Sequence, residues 1–365
     1  MSSLPEHRDR VADRASETRL LEIRREAETR GMVEGEGVRP AGSPFPKASP
    51  QTGYYGIPLL KEPQWKWEIP LYMFVGGAAG SAAVISSMAQ WVGRDPELAR
   101  DARLVAAAGA TVSTGLLIAD LGRPARFLNM LRVFKAQSAM SVGAWTLAFF
   151  WTFSGASVFA DFAGKYFDFA PVRVLGNVAQ LFATAFALPF HNYTGVLIGA
   201  TSVPVWNENI KMLPLHFGMS GLNAGVSILE LLGHDSFALN TLGIAASAVE
   251  TFEGIHIETN RSRVVEPLKH GGTGWTTRVG GVLSGPVPLA LRLISAFTRS
   301  RDLRRAAAWS SIAGSLITRY AWMQAGKVSA KNWRLPLDIP DDESTAKKEQ
   351  GKADQAFKYG KEQAS

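Results

Sequence analysis

The sequence of 365 residues has no cysteine. That excludes a disulfide framework, a thiolate-bound zinc and an iron–sulfur cluster held by this chain, so any electron carrier of the last kind belongs to a partner. Histidine is scarce, with six residues, and only His191, His216 and His256 fall in or near long apolar stretches. A haem b site on His191 and His256 is therefore a lesser alternative, because no repeated histidine pattern supports it. Phosphate-loop, dinucleotide-binding and Ser-His-Asp signatures give no convincing match. No small-residue cleavage site precedes the first long apolar run, which starts after residue 68, so the N-terminal segment is expected to be retained. Acids and bases are missing over long intervals too, with none from Val174 to Asn207.

What is present is unevenly spread. The formal net charge of +7 sits on a chain whose ends are polar and whose middle is apolar, which divides it into a tail and linker over 1–62, a membrane domain over 63–326 and a second polar tail over 327–365. Within 1–49, "RLLEIRREAETR" reads as a short charged helix and "GVRPAGSPFPKASP" as a flexible linker. A bilayer core about 30 Å thick calls for roughly 20 apolar residues per helix. Eight stretches meet that need, at about 69–92, 104–121, 137–160, 174–203, 209–232, 237–257, 279–297 and 303–325. The fold class is thus an all-α integral membrane protein with eight transmembrane helices. Runs such as "GGAAGSAA" and "SGLNAGVS" suit helices that approach closely in lipid, where small side chains let backbones meet.

An even number of spans puts both termini on one side. Lys and Arg balance across the short loops, but Lys61, Lys66, Lys327, Lys331 and Arg334 flank the membrane on the side of the termini, which makes that side cytoplasmic under the positive-inside rule. The basic balance suits anionic lipid rather than nucleic acid.

Several polar groups stand where lipid makes them costly, and such groups are functional candidates. Trp65, Lys66, Trp67 and Glu68 fit an interfacial belt, while Gln64 and Glu68, four apart, lie on one face of a continuing helix and could point inward to a site. Asp120 closes the second span and is followed by Arg123 and Arg126; it caps an ion-paired helix end or faces a ligand pocket. The fourth span holds a polar knot of His191, Asn192, Tyr193 and Thr194 beside Pro189, either packed internally or aimed at a carbonyl-bearing ligand. Glu230 ends the fifth span, and Glu250, Glu253 and His256 recur at three-residue spacing along the sixth, with Arg292 and Arg319 in the last two. Those groups read as a proton path, or as simple pairs such as Glu250 with Arg319. A proton or ion channel is accordingly a further alternative.

Taken together, "WKWEIPLYMFVGGAAGSA", "DLGRPARFLNMLRVF", "SAMSVGAWTL", "NYTGVLIGATSVPVWNEN" and "GSLITRYAWMQAGKVSA" resemble the NrfD/PsrC family, the membrane subunits of polysulfide-reductase-type complexes, over about 54–330. The resemblance implies two four-helix bundles without a haem or metal of their own, in the inner membrane of a bacterial cell. It implies a four-cluster iron–sulfur ferredoxin-like partner, which serves a molybdopterin catalytic subunit, and a menaquinone or ubiquinone bound as substrate. Motif by motif, the quinone site falls on Gln64, Asp120 and Tyr193; Glu68, His191, Asn192 and Arg123 join them as candidates from the polar groups read above. Family members often carry histidine at the place of Gln64, so proton delivery here would pass to Glu68, His191 or Asp120. The opening "YYGIPLLKEPQWKWEIP" resembles members that accompany formate-dehydrogenase-like enzymes.

Overall fold

The computed structural model describes residues 60–121, 123–166 and 170–332, together with Arg25, Val33–Glu34, Gly37–Val38 and Leu335. The expected charged helix and linker of 1–49 lie outside the described residues, apart from Arg25 and an antiparallel pairing of Val33–Glu34 with Gly37–Val38. That pairing belongs to one compact unit, Met1–Lys61 with Lys331–Arg334 and Pro340–Ser365, and the helical unit is built from Glu62–Ala330.

The long helices are α1 (Glu68–Met88), α2 (Pro96–Asp120), α3 (Ala139–Tyr166), α4 (Ala170–Gly199), α5 (Leu213–Leu231), α6 (Phe237–Thr259), α7 (Gly271–Ser284), α8 (Pro286–Thr298) and α9 (Arg301–Lys331). Among the described residues, five stretches are long and apolar enough to cross a membrane: Glu68–Gly93, Pro96–Asp120, Ala139–Gly164, Ala170–Gly199 and Gly271–Thr298. Helices α5, α6 and α9 carry buried polar side chains, among them Asn223, Glu250, Glu253 and Arg319, which lower their apolar character.

Each apolar stretch lies within or over a helix, with boundaries moved for identifiable reasons. Helix α2 starts at Pro96, well before the expected 104, because the Asp95 side chain caps it by accepting from Leu98 N–H at 3.0 Å and its charged first turns find partners. Arg103 donates to Asp161 at 2.6 Å, and His234 meets Asp101 at 3.0 Å. The fourth stretch ends at Gly199, and Pro204 opens a separate turn, Pro204–Glu208. The seventh is broken between α7 and α8, where Gly285 leaves helical geometry ahead of Pro286 and Pro288. The last helix runs to Lys331, past the expected end near 325.

Helix α1 is the axis of the unit, packed against α2, α4 and α5, and most of its residues are buried. Its glycines make that possible. A Cβ added to Gly221 of α5 would sit 2.9 Å from the carbonyl carbon of Gly77, and one at Gly225 would sit 3.0 Å from Ala78 O. The two small-residue runs singled out in the sequence therefore meet each other backbone to backbone, as expected for close packing in lipid. Side-chain bonds add register: Gln180 on α4 donates to Ala83 O at 3.1 Å, and Ser86 Oγ to Ala99 O at 2.7 Å. Helix α3 packs on α2 and α4, while α6 packs on α5, α7 and α8. Helix α9 closes on α5 and α7 through Ser315 Oγ to Ser220 O at 3.2 Å and Ser310 Oγ to Leu283 O at 2.7 Å.

Candidate functional site

The chain enters α1 through a non-helical approach, so Gln64 is exposed and lies ahead of the first helical residue. The four-residue spacing to Glu68 therefore does not place both on one helical face, because the helix begins only at Glu68. The approach is pinned at two points. Trp65 stacks on Trp206 with ring centroids 5.7 Å apart, and the Trp206 indole N–H donates to Trp322 O at 2.8 Å. The Tyr320 hydroxyl donates to Trp67 O at 3.0 Å, while the Trp67 ring stays exposed, as an interfacial residue would.

Two acids converge beneath this clamp. The Asp120 carboxylate at the end of α2 has the backbone N–H of Lys66 and the side chain of Glu68 in its neighbourhood. Tyr320 also lies close to Glu68, whose Oε2 is buried without a hydrogen-bond partner. An unmet carboxylate oxygen out of water is costly, so this end of the helices can accept a donor group. Arg123 stands exposed three positions after Asp120.

Tyr193 is reached one turn deeper. Tyr72, four residues after Glu68 and so on its face of α1, lies edge-on to Phe190 at 6.3 Å and close to Tyr193. The Tyr193 ring stacks on Phe190 at 6.5 Å, and its hydroxyl donates to Ala139 O at 2.8 Å. The seat depends on Gly143, where an added Cβ would come within 1.8 Å of the Tyr193 ring. The sequence-predicted group thus assembles in part: Glu68, Asp120 and, through Tyr72, Tyr193.

His191 belongs elsewhere. Its Nδ1 meets Leu188 O at 2.6 Å, and its backbone is pressed on Gly80 of α1, where a Cβ would lie 2.8 Å from His191 Cβ. Its Nε2 faces Gly218 of α5, 3.3 Å from a Cβ placed there, beside Asn192 Cβ at the same distance. Gly80 is about 18 Å along α1 from Glu68 at 1.5 Å per residue. His191 and Asn192 are therefore wedged at the junction of α1, α4 and α5. His256 is exposed on α6, so a haem on these two rings lacks the shared inward cavity that bis-histidine ligation needs. Among the described residues no group of three or more His, Asp or Glu could hold a metal ion.

A second polar group lies among α5, α6 and α9. His216 Nδ1 pairs with Glu253 Oε2 at 2.7 Å. Arg319, wholly buried, donates to Phe217 O at 2.8 Å, lies 4.0 Å over the Phe217 ring and is close to Glu250 and Glu253. Glu250 is 2% exposed, and neither of its oxygens has a partner of hydrogen-bonding geometry, although the Ser220 and Ser284 hydroxyls flank it. The expected Glu250 and Arg319 pairing is thus a neighbourhood rather than a direct bond. His256 does not join Glu250 and Glu253, because three-residue steps lag a helical turn by about 60° each and two steps carry it to the exposed side. Glu230 forms a separate buried pair with Arg292 at 2.7 Å, supported by Arg292 to Ser227 Oγ at 3.1 Å.

Beside Glu250 opens a cavity of about 460 Å³. Tyr320, Trp206 and this cavity went unassigned in the sequence. Tyr320 and Trp206 sit inside quoted motifs, but only the chain crossings that bring Trp67 and Trp65 to them expose their roles.

The family described as "Polysulphide reductase, NrfD" matches residues 60–262. The C subunit of polysulfide reductase from Wolinella succinogenes is 30% identical over 197 residues, 49% of this chain and 61% of the relative. The chain therefore spans less than two thirds of that relative's length.

Proposed function

Because the chain belongs to the NrfD polysulphide reductase family, we propose that it is the quinone-interacting membrane subunit of a reductase complex. In this reading electrons pass between a four-cluster iron–sulfur partner, itself joined to a molybdopterin subunit of formate-dehydrogenase-like type, and a menaquinone or ubiquinone. All eight helical stretches cross a bacterial inner membrane as two four-helix bundles, α1–α4 and α5–α9. The flanking regions 1–62 and 327–365 lie on the cytoplasmic side. Within these bundles α1 packs on α2 and α4, and α6 on α5, α7 and α8, while α1 and α4 also pack on α5 between them.

The observation that carries the site is the meeting of Glu68 and Asp120 beneath the clamped approach to α1, with Glu68 Oε2 buried and unmet. Reduction of a quinone takes up two protons with its two electrons. Electrons come from the partner; Asp120 and Glu68 hand one proton to the ring oxygen nearest them, and the opposite ring oxygen takes the second from water on the side of the termini. Tyr193 and Gln64 position the ring and Arg123 offers charge at the rim, while His191 and Asn192 lie deeper, at the junction of α1, α4 and α5, beyond the reach of the ring. Glu253, His216, Glu250 and Arg319 extend a proton path into the second bundle, with Glu230 and the exposed His256 at its margins.

Asp120→Asn and Tyr193→Phe are expected to leave the complex assembled while lowering quinone-linked turnover, for Asp120→Asn by about 100-fold or more, the usual scale for loss of a positioned acid–base group. Turnover unchanged in both variants would remove these residues from the reaction.

A further inference from the structure

The turn from α8 into α9 gathers arginines at the end where α9 begins. A cavity of about 120 Å³ there is lined by Glu230, His234, Asp235, Arg301, Arg304 and Arg305. Its acids are already matched. Arg292 holds Glu230 from within at 2.7 Å, and Asp235 accepts from Arg301 at 3.1 Å and from Arg304. His234 is turned to Asp101 at 3.0 Å. Four arginines thus meet two carboxylates, which leaves a surplus of two positive charges; the neighbouring Arg299 and Asp302 cancel each other and do not change it. The surplus faces outward. The Arg301 side chain is 80% exposed, and Arg305, also exposed, has no ion pair among the described residues. Like charges four apart on a helix repel each other, and an anion over Arg301 and Arg305 relieves that repulsion.

The same side of α9 continues into apolar surface. Arg301, Arg305 and Trp309 follow at four-residue intervals and so lie along one face, and Trp309 is 63% exposed. Phe297, in the last turn of α8, and Phe237, opening α6 two residues after Asp235, are more exposed still. Trp309 lies about 6 Å along the axis from Arg305 at 1.5 Å per residue, close to the roughly 5–7 Å of headgroup layer on each side of a hydrocarbon core. Cations at the level of lipid phosphates, with an aromatic ring one turn deeper, repeat the order in which a bilayer presents its own groups. The chemistry selects the occupant. Guanidinium groups match phosphate oxygens in pairs. The space is well below the roughly 300 Å³ of a small-molecule pocket, so it admits one headgroup phosphate and leaves the chains outside, beside Trp309. A choline headgroup brings its own cation to the surplus, whereas a glycerol headgroup brings none.

We propose that the α8–α9 turn binds an anionic phospholipid, its phosphate held by Arg301 and Arg305 over the cavity and its acyl chains laid along Trp309. The inference rests on α8 and α9 standing in a bilayer and is independent of the quinone site at Glu68 and Asp120.

The experiment is native mass spectrometry of the full chain released from micelles carrying equal amounts of phosphatidylglycerol and phosphatidylcholine. Wild type is expected to keep phosphatidylglycerol. Arg305→Gln, which breaks no ion pair within the fold, is expected to weaken that retention by about fivefold, the share of one basic residue at an anionic lipid surface. Arg301→Gln combined with it is expected to weaken retention by about 25-fold; should the double variant fail to fold, as a melting curve will show, Arg305→Gln decides alone. Arg132→Gln removes an exposed arginine from another turn and is expected to leave retention unchanged. Equal retention of the two lipids, or a loss as large in Arg132→Gln as in Arg305→Gln, overturns the proposal. Millimolar inorganic phosphate is expected to leave the lipid in place; phosphate that displaces it and takes its seat shows a free-anion site and overturns the lipid assignment. A chain that keeps neither lipid overturns the proposal together with the bilayer placement of α9, and leaves the reading of Glu68 and Asp120 to its own test.

Discussion

Replacing Arg319 by methionine is the sharpest single perturbation of the polar group in the second half of the chain. The methionine keeps most of the hydrocarbon length but removes the charge and every donor. Lost with it are the 2.8 Å bond to Phe217 O and the guanidinium lying 4.0 Å over the Phe217 ring. Glu250 and Glu253 are left buried without their nearby cation. Charged hydrogen bonds contribute about 1.5–3 kcal/mol and a desolvated cation–π contact about 2 kcal/mol. These do not simply add, because removing one member of a buried ionic group costs about 3–5 kcal/mol in all. The expected loss is therefore about 4 kcal/mol, on the middle of that range. Neutralising Glu250 in the same background removes one of the stranded charges. Arg319→Met and Glu250→Gln are thus expected to couple by at least about 1 kcal/mol, the double variant being more stable than the sum of single effects implies. Equilibrium unfolding in mixed micelles, followed by tryptophan fluorescence, measures each corner of the cycle. A cost below about 1 kcal/mol for Arg319→Met, with effects that add, would refute the electrostatic account of this group.

Other expectations concern the helix crossings and the clamp. Gly221→Ala places a methyl 2.9 Å from the Gly77 backbone and is expected to cost about 1–3 kcal/mol by overpacking. Gly281→Ala, with nothing within 4 Å of its Cβ, is expected to be neutral or to stabilise by up to about 1 kcal/mol from helix propensity; equal losses in the two would contradict the close α1–α5 approach. Tyr320→Phe frees the Trp67 carbonyl and is expected to cost about 1 kcal/mol, with increased hydrogen exchange at the start of α1. Protection unchanged there would show that the approach is held by the Trp65–Trp206 stack alone.

Much of the helical frame was legible because apolar runs of membrane length admit few alternatives. The glycine runs around Gly77 and Gly221 pointed to close packing, and those two positions touch. Boundaries were less legible where charges pair: Arg103 and Asp101 look like loop residues in sequence, yet Asp161 and His234 let them continue a helix. Gln64 was misplaced because spacing along a chain implies a shared face only once helix has begun. His256 was grouped with Glu250 and Glu253 by a spacing whose drift carries it out of the interior. Asp120 and Glu68 could be singled out as costly acids, but their meeting across α1 and α2 is a tertiary fact that one sequence does not encode locally. The same holds for the cavity beside Glu250, whose walls come from five helices.

The central claim, that this protein receives a quinone between the start of α1 and the end of α2, is tested most directly by photo-crosslinking. An azidoquinone added to membranes holding the complex, followed by peptide mapping, is predicted to label residues within 60–72 and 113–126, and excess quinone is predicted to abolish that label. Label absent from both segments while quinone still competes for other positions would contradict the account.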